Sequence, residues 1–379
     1  MKNELSVLTL SPAFNSEQSV VIMHPFTNEE ILNPKFGGAQ FVKYEADYLE
    51  EIGCRVKVIS LSYLYSITSL LNKISSIVRK AKRKEIVLKN EKRRWFLNLL
   101  NFLFIDILSR FDIIFRINAK VTLETIQPSL IIYNYCFGFS TINYISKQLG
   151  ISAIIYEHNV EWYFYKEKLG NNIISNFLIN ILKKIELNNL RKANHIFCVN
   201  KKDHEILVKE GKISPSKIEV WLPLIKREIK TNLDRIPEIL KNRLKGKSVV
   251  GFIGTNFEPN IVAVENIIKI ASKLSNNVVF LIIGSVNKAF KNKNVPSNII
   301  FTGYVKDLDS YLSLCDIFIN PKTTSDTGIE IKMLDYLKFD KPIISTEIGA
   351  RGFEKIDTVK IVPSISTEIL RNVFQKGAD

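Results

Sequence analysis

Short apolar runs alternate along this chain with longer stretches of helical period, a pattern that predicts parallel sheets wound with helices. In the first half the runs are Leu5–Leu10, Arg55–Leu61, Leu130–Tyr133, Ala153–Tyr156, His195–Val199 and Ile218–Leu222. In the second they are Ser248–Ile253, Val278–Ile283, Ile299–Thr302, Ile317–Asn320, Pro342–Ser345 and Lys360–Pro363. Between the two sets lies a charged segment, Pro223 to Lys247, interrupted by Pro237. The expectation is an α/β protein of two Rossmann-like, doubly wound domains facing a cleft: residues 1–223, a linker at 224–247, and residues 248–379. The cleft is the default place for a ligand.

Composition bounds this picture without changing it. A chain of 379 residues, 46% hydrophobic and 24% charged, suits two globular domains. Cys54, Cys136, Cys198 and Cys315 lie far apart within apolar runs and fit no zinc or redox spacing, so buried thiols in a reducing compartment are expected. The opening MKNELSVLTL lacks the basic and apolar regions of a signal peptide, and no apolar run is long enough to cross a bilayer.

Charge adds a partner. A formal net charge of +15 and a pI near 9.4 point to something anionic. The basic run from Arg79 to Arg94 leads directly into Trp95-Phe-Leu and an apolar stretch, forming an insert at about 79–115. Cations beside aromatic residues suit a helix lying on an anionic membrane surface; a core helix with a solvated basic face fits equally well. No nucleic-acid-binding signature accompanies the charge, so nucleic acid is not the expected partner.

The densest chemistry lies between Asp316 and Gly352. A buried strand, a Ser/Thr loop, a helix opening near Gly328 and a second strand form one unit whose helix start can offer free amides to a phosphate. Lys332 and Asp335 project from one side of that helix, where a cation and a carboxylate could hold a diphosphate and ribose hydroxyls. Thr327 and Glu330 also have the spacing of a capping box, and the Lys332–Asp335 pair could be a solvated surface pair. In the first half, Gly37-Gly38 before a helix from Gln40 could admit a ligand close to the backbone or simply make a turn. His158 stands at the carboxyl end of the strand Ala153–Tyr156, where α/β sheets present ligand-contacting groups, although a strand-end carbonyl could satisfy it.

These residues resemble the family-4 retaining glycosyltransferases of the GT-B fold. That family carries G-T-R-x-K-x-L-E-A, then G-K-P-V-V-S-T, then G-A-E-G; here the pieces are Gly328-Ile-Glu-Ile-Lys332-Met-Leu-Asp335-Tyr, Asp340-Lys-Pro-Ile-Ile-Ser-Thr346 and Gly349-Ala-Arg-Gly352. His158-Asn-Val-Glu161 is similar to the family's H-N-x-E, and Gly251-Phe-Ile-Gly254-Thr-Asn256 to the opening of its donor domain. Thr327 replaces a Glu of the pattern, Glu330 an Arg, and Asp335 a Glu.

The resemblance implies donor contacts from Gly37, Gly38, Gly254, Thr255, Asn256, Thr327, Gly328, Lys332, Asp335, Gly349 and Arg351, and a catalytic role for His158 in stabilising the sugar. It implies an enzyme that takes a sugar from a nucleotide-sugar to a lipid-linked or glycan acceptor without cofactor; with the buried thiols and the basic insert, the expectation is a cytoplasmic enzyme, peripheral on the inner membrane face. Asp307-Leu-Asp309 has the form of a metal-binding D-x-D, but its place before an apolar helix makes capping the expected role, and no metal is expected. Two alternatives stand beside this reading: a nucleotide-sugar epimerase on the same fold, and a non-catalytic binding protein derived from a transferase.

Overall fold

The computed structural model describes residues 17–24, 37–61, 91–224, 229, 231–324 and 327–375. The chain divides into two compact units, Met1–Ile225 with Asp326–Gly328, and Lys226–Ser325 with Ile329–Asp379.

The first unit runs β1 (Ser19–His24), α1 (Gly37–Glu51), β2 (Arg55–Ser60), α2 (Glu91–Phe111), α3 (Ile113–Ile126), β3 (Leu130–Asn134), α4 (Phe139–Gln148), β4 (Ser152–Glu157), α5 (Glu161–Leu169), α6 (Ile173–Lys192), β5 (Ile196–Cys198), α7 (Lys201–Lys209) and β6 (Ile218–Val220). Its strands form one parallel sheet in the order β2-β1-β3-β4-β5-β6. Central strands covered on both faces read as unbroken apolar runs, and all five residues of β3 are buried. The predicted run Leu5–Leu10 lies outside the described residues; the first described strand is Ser19–His24, whose Val20 pairs with both Val56 and Leu130. Gly37 and Gly38 are the first residues of α1 itself, three residues before the predicted helix start.

Residues 79–90 also lie outside the described residues, whereas α2 is turned inward. Trp95 meets Phe164 edge-on at 5.1 Å between ring centroids, and Phe102 stacks on Phe137 at 4.6 Å. The aromatic residues expected at an acyl boundary therefore serve the core. The exposed large apolar side chains of α2 and α3 among the described residues lie instead around their corner, at Ile107, Phe111, Ile113, Ile114, Ile117 and Val121. Buried Asp106 ties α2 down: it accepts from Gly138 N (3.1 Å), Asn189 Nδ2 (2.7 Å) and Arg110 (2.6 Å).

The second unit runs α8 (Glu238–Leu244), β7 (Ser248–Ile253), α9 (Glu258–Ala271), β8 (Val278–Ile283), β9 (Ile299–Gly303), α10 (Leu308–Ser313), β10 (Ile317–Asn320), α11 (Lys332–Leu337), β11 (Ile343–Thr346), β12 (Val359–Val362) and α12 (Thr367–Gln375). The strand order β12-β11-β10-β7-β8-β9 is the Rossmann order, with its switch point between β7 and β10. Phe318 of β10 stacks on Tyr336 of α11 at 4.5 Å with planes 1° apart, and the Tyr336 hydroxyl accepts from Ile253 N at 2.8 Å. That pairing draws the short helix α11 against the switch point. All four cysteine side chains are buried, and none is in a disulfide.

Candidate functional site

In the second unit the segment after β10 carries the charged groups and the turn after β7 polar ones, at the carboxyl ends of the two strands that flank the switch point. Lys322 follows β10 and lies 2.5 Å from Glu330 Oε1, while Lys332, opening α11, lies 3.3 Å from Glu330 Oε2. Burial pushes the Glu330 carboxyl up, but the two ammonium groups outweigh it and hold it at about 2. The Lys332 ammonium is itself lowered by burial, partly offset by Glu330, and sits 4.4 Å above the Phe252 ring. It also donates to Asn260 Oδ1 at 2.7 Å, and the Asn260 amide donates to Thr255 O and Oγ1 at 3.2 Å each. One asparagine thus joins Lys332 to the turn at Gly254, Thr255 and Asn256. Thr255 and Asn256 are exposed; Asn256 N donates to Ser285 Oγ at 3.0 Å.

The remaining expectations in this unit need correction in detail. The helix opens at Lys332 with Ile331 as its cap, not near Gly328. No capping box forms, because Glu330 is committed to the two lysines. Asp335 is buried and accepts from Lys338 Nζ at 3.0 Å, so Lys332 and Asp335 serve different partners. Gly349 is held tightly against β10 and β11: a Cβ there would lie 2.5 Å from Ser345 Oγ and 2.8 Å from Asn320. Arg351 follows it, half-buried. Asp307 caps α10 through Ser310 N and Oγ (3.3 and 2.7 Å), whereas Asp309 pairs with Lys338 at 3.2 Å. Among the described residues no group of three or more His, Cys, Asp or Glu is placed to hold a metal ion.

In the first unit His158 sits just past β4, 7% exposed. Phe41 of α1 meets the ring edge-on at 4.6 Å, and Tyr135 lies at 4.6 Å on a tilted plane. Tyr135 adopts the left-handed backbone (φ 67°), which a bulky residue enters only under local compulsion; here it places the ring beside His158. His158 Nε2 hydrogen-bonds Asn134 Oδ1, and Asn134 Nδ2 donates to Glu45 Oε2 at 2.7 Å. Burial drives the imidazole down to about 3 and the Glu45 carboxyl up to about 8. His158 is therefore neutral at ordinary pH.

Around it the chain crowds carboxyls. Glu157 and Glu186 are raised well above the usual range and Glu161 to about 7, burial being the largest cause in each. Glu186 serves the fold, accepting from Glu161 N and Trp162 N at 3.0 Å each and so capping α5. Asp203 accepts from Gly328 N at 3.0 Å, and Asn200 Nδ2 donates to Gly328 O at 2.9 Å. Gly328 is thereby fixed beside Asn159, and buried Thr327 precedes it.

Residues 247–369 match the family model described as glycosyl transferases group 1. HepE of Anabaena, solved in complex with UDP, shares 12% identity over 95% of this chain and 89% of its own, with a TM-score of 0.54. Sucrose-phosphate synthase of Thermosynechococcus elongatus shares 13% over 95% and 89%, with a TM-score of 0.57. A glycosyltransferase of Rickettsia africae shares 15% over 96% and 88%, with a TM-score of 0.55. No curated protein matches the sequence.

The fold is GT-B.

Sequence reading of this GT-B chain missed Lys322, Asn260, Glu45 and Asn134. Glu45 had a visible signal, since Phe41, Glu45 and Leu49 share one helical stripe and all are buried, so a carboxylate interrupts an apolar face. Lys322 and Asn134 each lie at or just past the carboxyl end of a strand, the position that singled out His158.

Proposed function

We propose that the protein is a retaining glycosyltransferase that moves a sugar from a nucleoside-diphosphate donor to a lipid-linked or glycan acceptor at the cytoplasmic membrane face, without a metal cofactor. The observation that carries this reading is the largely buried Lys322–Glu330–Lys332 cluster at the switch point, joined by Asn260 to the Gly254 turn. Two ammonium groups beside the start of α11 can receive the charge of a departing diphosphate once Glu330 yields them. The match of residues 247–369 and the UDP bound by Anabaena HepE support a nucleotide there. In the transfer, the bond from the anomeric carbon to the diphosphate oxygen breaks, the acceptor oxygen bonds the same face, and the acceptor's hydroxyl proton passes to the departing diphosphate. His158 holds the sugar, and Asp335 receives the ribose hydroxyls by giving up Lys338.

Isothermal calorimetry and initial rates test this. Lys332→Ala and Asp335→Ala weaken UDP binding by about tenfold or more, the scale of one charged hydrogen bond. His158→Ala lowers kcat more than donor affinity. Unchanged kinetics in all three variants eliminate the assignment. One observation favours a second reading, a non-catalytic protein derived from a transferase: Glu330 already pairs with both lysines. Failure of the wild type to bind any nucleoside diphosphate would decide for it.

A further inference from the structure

Glu45, Asn134 and His158 come from three separate elements, α1, the end of β3 and the turn after β4, and meet in a chain of hydrogen bonds with no solvent-exposed link. An asparagine amide in such a chain is directional, because its nitrogen only donates and its oxygen only accepts. Its nitrogen is taken by Glu45 Oε2, so its oxygen faces Nε2, and an oxygen can satisfy Nε2 only if that nitrogen carries the proton. The opposite arrangement needs a proton on Glu45 to bond the amide oxygen, whereas the observed one requires only an acceptor at Glu45. A carboxylate at Glu45 therefore enforces it, and a protonated carboxyl still supports it through its carbonyl oxygen. His158 Nδ1 makes no hydrogen bond among the described residues, and the side chain is not fully sealed.

We infer that Glu45 is a positioning residue which, through Asn134, fixes His158 in the Nε2–H tautomer and so presents Nδ1 as a lone-pair acceptor for a hydroxyl group of the bound sugar. The inference rests on the transferase reading for the identity of that hydroxyl, but not for the tautomer. His158 then accepts a hydrogen bond from its ligand and does not donate one. A neutral acceptor there orients a hydroxyl and leaves a partial negative charge near a carbon that gains positive character.

Long-range nitrogen–proton NMR of the imidazole, assigned by loss of the signals in His158→Ala, tests the inference on the full chain. The wild type is expected to show a single neutral form with Nε2 protonated. Glu45→Gln, whose amide can accept from Asn134 or donate to it, permits both orientations and is expected to give a mixture of tautomers with a smaller loss of kcat than Glu45→Met. Glu45→Met releases the Asn134 amide to turn over; the two nitrogen shifts move toward each other as both tautomers are populated, and kcat falls about tenfold with KM little changed. Should Glu45→Met fail to fold, Asn134→Leu is read in the same way, with the same loss of a pure Nε2–H form. A wild-type spectrum with Nδ1 protonated, or a pure Nε2–H form surviving in the Met or Leu variant, overturns the inference. The expected spectra from a protein that transfers no sugar overturn the transferase reading alone and leave the relay standing.

Discussion

Gly328 lies so close to Asn159 that a Cβ built on it would stand 2.1 Å from the Asn159 side-chain amide and 2.8 Å from His158 O. With its nitrogen facing the two carbonyls, that amide donates to His158 O (3.1 Å) and Thr327 O (3.3 Å), so the space a methyl would fill is already used for hydrogen bonding. Gly328 also has φ of 77°. Gly150 has φ of 69° but nothing within 4 Å of its would-be Cβ, which isolates the two effects. Gly150→Ala should cost about 1–2 kcal/mol, the left-handed strain alone. Gly328→Ala should cost about 2 kcal/mol more, because Asn159 must leave its buried bonds. Urea denaturation of the two variants measures the difference, and equal costs would show that the contact is soft.

The contrast between these glycines also marks how far the sequence is legible. Strand positions could be read from Arg55 onward, by unbroken apolar runs where the parallel strands are central and buried, as in β3, and by alternation at the edge strand β2. The pair His158 and Gly328 was legible as two separate motifs, but not as neighbours, since nothing local encodes a bond from Asp203 to Gly328 across the sequence. The partners of Glu330 were hidden for a related reason. Local spacing offers it a capping box, and the lysine that claims it, Lys322, is placed by the sheet register of β10 and not by helix periodicity.

Glu330 holds two cations, Lys322 buried and Lys332 half-buried, that a diphosphate would need. Glu330→Gln should remove the carboxylate that Lys322 and Lys332 share and destabilise the ligand-free protein by about 3 kcal/mol, the cost of breaking a buried pair. Added nucleoside diphosphate then restores the missing negative charge. Thermal unfolding with and without UDP should accordingly show a larger ligand-induced rise in Tm for Glu330→Gln than for the wild type. A smaller rise would mean that the carboxylate helps to build the site.

Glu45 makes stability depend on pH. Its carboxyl titrates near 4.5 when unfolded and near 8 when folded, because burial disfavours the charged form. The folded state thus binds the proton more tightly. The stability this supplies is fully present below about pH 4.5 and is lost as pH rises through about 8. Glu45→Gln cannot ionise, so its Tm relative to wild type should climb across that window. A difference between the two proteins that stays flat with pH would mean that Glu45 titrates normally.

The α2–α3 corner separates an apolar membrane contact from a merely basic surface. Phe111 is 76% exposed, Ile113 68% and Ile117 55%, and Arg110, Arg116 and Lys120 lie among them, the last two on α3 itself. An apolar tip ringed by cations in a chain of net charge +15 matches an anionic bilayer, where each basic residue near the surface contributes about 1 kcal/mol. Binding to phosphatidylglycerol vesicles should therefore exceed binding to phosphatidylcholine vesicles and fall with salt. Lys120→Glu removes one cation and adds an anion, so affinity should drop by about tenfold or more. Ile117→Asp should weaken binding even at low salt, because it removes the inserted group and not only the attraction. If charge alone were responsible, Ile117→Asp would behave like Lys120→Glu and both losses would shrink together as salt is raised; a residual loss for Ile117→Asp at high salt identifies insertion.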